Sequence, residues 1–250
     1  IAMGLQGTDV AKESADMVLA DDNFATIVNA VEEGRIVFEN IRKVIMFLAA
    51  SALGLVVAVL LEIGLSRQFL FLPSQILWMN LAISALTDVA LATEPGEANM
   101  LQRAPRSVKS PIITRRMWQQ IAVVALYRAV AAVLLFRLVL LTTGNLPYAQ
   151  SLAINVMVLS MLLYVLEARS MNLSLLRMNP LSNPFLLVAV GASLLAQLAF
   201  VYVAAFNRIF QTVPLSLRDW GLTFLLAFGV IIVVEVEKWI MRRRKEQPRH

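Results

Sequence analysis

The chain divides into a mixed polar segment and six long apolar stretches that are separated by polar loops. A helix that spans a bilayer needs about 20 predominantly apolar residues, and the six stretches come close to that length. Residues 1–42 instead mix charged and apolar positions, as expected for a segment in water. The pattern predicts spans within residues 43–241, at about 44–65, 74–93, 118–141, 151–167, 184–206 and 220–240, and then a basic tail at 242–250.

The polar segment predicts a short strand and a long helix. Residues 1–4 are typical of a buried strand that ends at a glycine turn. Asp21 and Asp22 are expected to cap a helix N-terminus. That helix is expected to run over residues 23–47, from a charged, solvated part into the first apolar stretch. Because Ile1 is not a start methionine, we expect the chain to be cut from a longer protein.

Composition narrows the class of protein. Hydrophobic residues make up 59% of the chain and charged residues 16%, and the mean hydropathy is +0.72, which favours a membrane protein. There is no cysteine and the single histidine is His250. Disulfide scaffolds, thiolate metal sites and a catalytic triad with an internal histidine are therefore excluded.

The net charge of +5 reflects loops and not a nucleic-acid surface. Twelve Lys and Arg residues lie in the loops and tail on one predicted side of the membrane, against three on the other. Basic loops face the cytoplasm, so both ends of the bundle are expected to be cytoplasmic. This segregation accounts for the basic character without nucleic acid as a partner.

Residues 1–35 contain four motifs in close succession. They read IAMGLQGT, VAKESADMVL, ADDNFATIV and AVEEGR. This run resembles the end of the phosphorylation domain of type-II P-type ATPases, the cation pumps related to the sarcoplasmic-reticulum calcium pump. The resemblance continues in ILWMNL at residues 76–81, RAPR at 103–106 and PII at 111–113.

The resemblance implies a mainly α fold: a six-helix transmembrane bundle preceded by the C-terminal tail of a HAD-like α/β phosphorylation domain. It implies the membrane part of an ATP-driven cation pump, a P-type ATPase of the cell membrane. The family's D-K-T-G-T phosphorylation motif and G-D-G-x-N-D magnesium segment are absent here. ATP and Mg²⁺ would therefore bind upstream, and we expect no catalytic residue and no ATP hydrolysis in this fragment alone.

The implied partners are a transported cation (Ca²⁺, H⁺ or a monovalent ion), membrane lipids and the missing N-terminal part of the same chain. A rival interpretation is a non-enzymatic membrane module, or an independent transporter derived from a pump. A D-K-T-G-T segment upstream in the same chain would separate the two.

The resemblance also implies that most cation ligands of the calcium pumps are lost. Where those pumps have an Asn and a Glu in their fifth helix, this chain has Ala52 and Leu55. The eighth-helix Glu position corresponds to Met161, and of the sixth-helix N-x-x-T-D pattern only Asn80 remains.

Oxygen-bearing residues nearby offer a replacement site. Asn80, Ser84 and Asp88 are spaced by four residues and share a helix face, and Thr87 lies beside them. A carboxylate inside a span costs about 2.5–3.5 kcal/mol on insertion scales, which makes Asp88 a candidate ion ligand. The alternative is an interfacial Asp88, since it lies near the cytoplasmic end of its span.

Arg128 is predicted near the bilayer centre, about eleven residues into the third span. If it pairs with Asp88, it acts as a built-in counter-ion and disfavours a divalent cation. The alternative is a structural or snorkelling arginine. The other charged residues of the spans are expected at the interfaces (Glu62, Arg137, Glu167, Glu235 and Glu237), as are the aromatic residues near span ends (Trp78, Trp118, Trp220, Trp239 and Tyr148).

Overall fold

The computed structural model describes residues 1–66, 68–97, 100–102, 107, 110–171 and 173–246, without the side chains of 82, 83 and 244–246. The described chain is mostly helical and separates into two compact units, Ile1–Asn40 with Pro95–Ser110 and Ile41–Glu94 with Pro111–His250. Five of the Lys and Arg residues that the sequence analysis counts in the loops and tail lie outside the described residues, namely Arg67, Arg103, Arg106, Lys109 and Arg249.

The first unit contains a two-stranded parallel sheet. Strand β1 (Ala2–Met3) pairs with β2 (Val18–Leu19), and helix α1 (Asp9–Glu13) connects them. Thr8 caps α1 by accepting a hydrogen bond from the Ala11 N–H at 3.3 Å. The predicted strand at the N-terminus is present.

The two aspartates before the long helix have separate roles. Asp21 accepts hydrogen bonds from the Thr26 hydroxyl at 2.6 Å and the Asn23 N–H at 3.1 Å, and these bonds lower the pKa of its carboxyl group. The carboxylate of Asp22 instead accepts from the N–H groups of Leu5 and Gln6, both at 2.9 Å. The expectation that Asp22 caps the helix is therefore wrong, because its side chain holds the turn that follows β1.

The membrane-type helices are α2 (Ala25–Ser66), which contributes residues to both units, and α3 (Pro73–Trp78), which continues through a π-helix (Met79–Ser84) into α4 (Ala85–Ala92). They are followed by α5 (Arg115–Thr143), α6 (Leu146–Ala168), α7 (Pro184–Tyr202), α8 (Ala204–Phe210) and α9 (Leu217–Glu246), with 3₁₀ turns at Leu175–Arg177 and Pro180–Ser182. The residues that the structure describes thus contain six candidate membrane spans, as predicted.

Helix α6 is the most enclosed span. In its most apolar stretch 89% of the residues are buried, against 22–50% in the other five spans. Helices α5 and α9 are its main neighbours. A span that is apolar on every side can pack in this central position without exposing a polar face.

Two helix ends differ from the predicted boundaries for local reasons. The fourth span starts at Leu146, five residues early, because the side chain of Asn145 caps it by accepting from the Tyr148 N–H at 3.1 Å. The fifth span stops at Tyr202, four residues early. There the amide of Asn207 donates to the carbonyl oxygens of Phe200 and Val201 at 3.3 and 2.9 Å, which satisfies helix-end acceptors.

Candidate functional site

A small, partly open cavity of the second unit lies between α2, α5, α6 and the π-helix. Its volume is about 20 Å³, and about 10–15 Å³ is enough for one water molecule. The lining residues are Ser51, Leu55, Met79, Asn80, Ser84, Arg128, Met157, Val158 and Met161. The structure thus brings together Leu55, Asn80 and Met161, which the resemblance aligns with cation-ligand positions.

The π-helix gives this part of the second span its local geometry. Met79–Ser84 carries Asn80 and Ser84 to the cavity, and π-helical turns of this kind occur often at functional sites. The side chain of Asn80 is exposed and that of Ser84 is buried. The Ser84 hydroxyl has only long contacts, with the Met79 carbonyl oxygen at 3.4 Å and the Met161 sulfur at 3.6 Å.

Arg128 provides the charge of the cavity. Its side chain is buried, with 2% of the residue exposed. Nε donates to the Ser160 hydroxyl and Nη2 to the Met157 carbonyl oxygen, both at 3.1 Å. Nη1 is buried and has no hydrogen-bond partner. The arginine is therefore held by α6 and does not snorkel toward an interface.

Asp88 and Thr87 lie away from this cavity, since neither is among its lining residues. The Thr87 side chain is fully buried and its hydroxyl donates to the Ser84 carbonyl oxygen at 3.0 Å. Asp88 is half-buried, and its Oδ1 is buried without a hydrogen-bond partner. Of the four residues predicted to share one helix face, Asn80 and Ser84 thus line the cavity, whereas Thr87 and Asp88 do not.

Asp88 and Arg128, which the sequence analysis considered as one possible ion pair, are not paired in the described part of the chain. Arg128 bonds to a hydroxyl and a carbonyl oxygen, and Asp88 keeps an unpartnered oxygen. Among the described residues Arg128 therefore has no carboxylate counter-charge. Among the described residues no group of three or more His, Cys, Asp or Glu side chains is arranged to hold a metal ion.

Several charges expected at the membrane interfaces are buried in ion pairs instead. Lys238 and Glu167 pair at 2.6 Å with both side chains fully buried. Arg137 and Glu62 pair at 3.1 Å, and the Glu62 carboxylate also accepts a bond from the Ser66 hydroxyl. Glu62 and Glu167 lie near the ends of their helices, as expected. Their ion-pair partners come from helices that are distant in the sequence, so the pattern does not reveal them.

A chain of polar side chains crosses the bundle. The Trp78 indole N–H donates to Gln197 at 3.3 Å, the Gln197 amide to Asn155 at 3.2 Å and the Asn155 amide to the Thr223 hydroxyl at 2.9 Å. Trp78 also stacks on Phe200, with ring centroids 4.9 Å apart. Trp78 therefore contributes contacts between helices that its position near a span end does not indicate. The amide residues were missed, although polar amides inside apolar spans are themselves a signal.

An ion pair lies just after the C-terminal end of the second span. Arg169 Nε donates to the Glu94 carboxylate at 2.9 Å, and the Asn183 amide donates to the second Glu94 oxygen at 2.8 Å. Glu94 is thus committed to a structural contact. By contrast, Asp88 Oδ1 is buried without a hydrogen-bond partner.

The fold and the site define a polytopic membrane protein with a small cavity between its helices, which Arg128 lines. The family model for the C-terminus of cation-transporting ATPases matches residues 68–240. The chain therefore belongs to the cation-transporting ATPases, and the resemblance to the C-terminal part of a P-type ATPase is confirmed.

Individual relatives agree with this assignment. The chain is 36% identical to a probable cation-transporting ATPase F of Mycobacterium tuberculosis, over 99% of this chain and 27% of that protein. It is 38% identical to a calcium-transporting ATPase of Bacillus subtilis, over 92% and 27%. It is 35% identical to calcium-transporting ATPase 1 of Schizosaccharomyces pombe, over 98% and 27%. The chain spans about a quarter of the length of these relatives.

Proposed function

We propose that the chain is the membrane part of an ATP-driven cation pump, a P-type translocase phosphorylated on an aspartate upstream of Ile1. The observation that carries this proposal is the family match over residues 68–240, which includes five of the six candidate spans. ATP and Mg²⁺ would bind in the upstream part. Residues 1–42 would be the end of a HAD-like phosphorylation domain with a stalk helix, which the parallel pairing of β1 and β2 supports.

The proposal includes a location and a topology. The bundle at 43–241 would lie in the cell membrane, with both ends and the basic tail at 242–250 in the cytoplasm. The unequal distribution of Lys and Arg among the loops supports this orientation.

Phosphoenzyme formation tests the pump directly. The full-length protein is expected to incorporate the terminal phosphate of ATP into an acid-stable, hydroxylamine-sensitive acyl phosphate, and the fragment 1–250 is expected to incorporate none. Proteoliposomes of the full-length protein should then accumulate a cation only with ATP and Mg²⁺. Transport without ATP, or full-length protein that forms no phosphoenzyme, would instead favour the independent transporter or the non-enzymatic module.

We further propose that the transported ion interacts with Asn80, Ser84, Thr87 and Asp88, and that Arg128 is a fixed counter-ion. Calcium takes six to eight oxygen ligands, and this group offers one carboxylate. A buried cation close to Asn80 and Ser84 disfavours a divalent ion by charge repulsion. A proton or a monovalent cation fits this charge balance better.

The role of Asp88 can be tested by substitution in the full-length pump. Asp88→Asn keeps the size of the side chain and removes its charge, so ion-stimulated ATPase activity should be lost while phosphorylation from ATP is retained. Asp9→Asn, an exposed carboxylate in the first unit, is the control and should behave as the unsubstituted pump. Equal cation affinity and turnover in the Asp88 variant would contradict its role.

A further inference from the structure

The last turn of α4 is held by two side chains that lie far along the sequence. Arg169 Nε donates to one carboxylate oxygen of Glu94 at 2.9 Å, and the Asn183 amide donates to the other at 2.8 Å. The same amide donates to the carbonyl oxygen of Ala90 at 3.1 Å. Glu94, Arg169 and Asn183 are each more than nine-tenths buried. We call these three residues the α4 clamp.

The two donors of the α4 clamp are themselves fixed. Arg169 Nη2 donates to the Asn179 carbonyl oxygen at 3.2 Å and to the Ser182 hydroxyl. The side-chain oxygen of Asn183 accepts from the Leu186 N–H at 2.9 Å and so caps α7. Because the last carbonyl oxygens of a helix have no partner within the helix, donors from elsewhere fix its end. The clamp thus ties the end of the second span to α7 and to the loop before it.

A fixed end matters because α4 is short and follows a π-helix. It has eight residues, and the π-helical bonds at Met79–Ser84 interrupt the α-helical pattern between α3 and Asp88. Asp88 lies two residues before the clamped Ala90, which is about 3 Å along the helix axis at 1.5 Å per residue. A displacement of the last turn therefore moves Asp88 relative to Asn80.

We propose that Arg169 and Asn183 are positioning residues for the transported cation, and that they act on Asp88 through the backbone of α4. This inference rests on the proposed ion site of the second span and adds two residues that do not belong to it. Neither residue touches the cation. When the arrangement that can bind a ligand is only partly populated, the apparent affinity falls by that fraction, and saturating ligand restores it. A loosened clamp should therefore weaken cation affinity and largely spare the rate at saturation.

Asn183→Asp removes the clamp and keeps the cap. An aspartate still caps α7, but it cannot donate to Ala90 or Glu94, and it places a second carboxylate beside Glu94. The ATPase activity of the full-length pump is titrated separately with Na⁺, K⁺, Ca²⁺ and H⁺. The half-saturating concentration of the stimulating cation should rise about tenfold, because a hydrogen bond to a charged group is lost. The rate at saturation should fall less than about twofold.

An exchange of donor and acceptor supplies the rescue. In Asn183→Asp with Glu94→Gln, a glutamine amide can donate to the new carboxylate, and Arg169 keeps one acidic neighbour. The half-saturating concentration should return to within about threefold of that of the unsubstituted pump. Asn145→Asp is the matched control, because Asn145 caps α6 through the Tyr148 N–H at 3.1 Å, as Asn183 caps α7. Its cation affinity should be unchanged.

Asn183→Ser is the second variant if Asn183→Asp does not fold, since serine also caps a helix and adds no charge. It should raise the half-saturating concentration about threefold to tenfold. An unchanged half-saturating concentration in either folded variant, a fall in the saturated rate alone, or a double variant no better than Asn183→Asp would overturn the role of the clamp.

Asp88→Asn distinguishes this inference from the proposed function. If that variant binds the stimulating cation with unchanged affinity, the ion site fails and the positioning role fails with it. If Asp88→Asn alters the affinity and the Asn183 variants do not, the clamp alone fails and the ion site stands. Full-length protein that none of the four cations stimulates would contradict the pump itself.

Discussion

The buried ion pair between Lys238 on α9 and Glu167 on α6 should be a major determinant of bundle stability. Lys238 Nζ donates to Glu167 Oε2 at 2.6 Å and to the carbonyl oxygens of Glu167 and Leu173, both at 3.0 Å. Both paired side chains are fully buried. The ammonium group therefore neutralises a carboxylate and also satisfies carbonyl oxygens near the C-terminal end of α6.

Lys238→Met keeps the length of the side chain and removes its charge and donors. Glu167 would then be a buried carboxylate without a counter-charge, and breaking a buried pair in this way costs about 3–5 kcal/mol. Glu167→Gln leaves the ammonium without its carboxylate and should also be destabilising, although the two carbonyl acceptors remain. The double variant Lys238→Met with Glu167→Gln removes both charges and should recover much of the loss.

A double-mutant cycle measures this coupling, with unfolding followed by Trp fluorescence in mixed detergent micelles. The coupling energy should exceed about 1.5 kcal/mol and favour the native pair. Lys238→Ala is a harsher comparison because it adds a cavity to the loss of charge. A Lys238→Met variant within about 0.5 kcal/mol of the unsubstituted protein, or strictly additive single effects, would refute the reasoning.

Three further predictions concern other contacts. Asn155→Leu interrupts the polar chain between α7 and α9 and should cost about 1–3 kcal/mol, because it leaves the buried Gln197 amide without its acceptor; denaturant unfolding would check this. Gly229→Ala places a methyl group against the Tyr127 hydroxyl and should cost about 1–3 kcal/mol, with part of that loss recovered when Tyr127→Phe is added. The carboxyl group of Asp21 should titrate below its ordinary range in NMR, so its contribution to stability is present above the unfolded-state pKa and lost as the pH falls through the lower, folded-state pKa.

The periodicity of apolar residues was sufficient to predict the six spans. Apolar runs of this length leave few alternatives to a membrane helix. The π-helix at Met79–Ser84 was beyond such reasoning, because one π-helical turn inside an apolar stretch leaves the apolar run itself unchanged. The polar chain through Asn155 and the partners of Glu62 and Glu167 were also missed. They join residues that are 42 to 119 positions apart in the chain.

Part of the candidate site was grouped correctly from the sequence and part was not. Asn80 was identified from the resemblance, Ser84 from its spacing to Asn80 and Arg128 from its position in the third span, and the structure brings all three to one cavity. Asp88 was joined to them by helical spacing, yet it does not line that cavity. Spacing by four residues assumes an unbroken α-helix, and the π-turn between Met79 and Ser84 changes the register of everything that follows.

Among the described residues, Arg128 and Asp88 do not pair, so neither side chain neutralises the other. A carboxylate and a guanidinium in contact would neutralise each other and leave little attraction for a third ion. Apart, each has an unpartnered buried atom, Asp88 Oδ1 and Arg128 Nη1. Each of these two side chains therefore keeps an atom with unused hydrogen-bonding capacity among the described residues. Leu55 and Met161, which line the same cavity as Arg128, are apolar and leave its charge uncancelled.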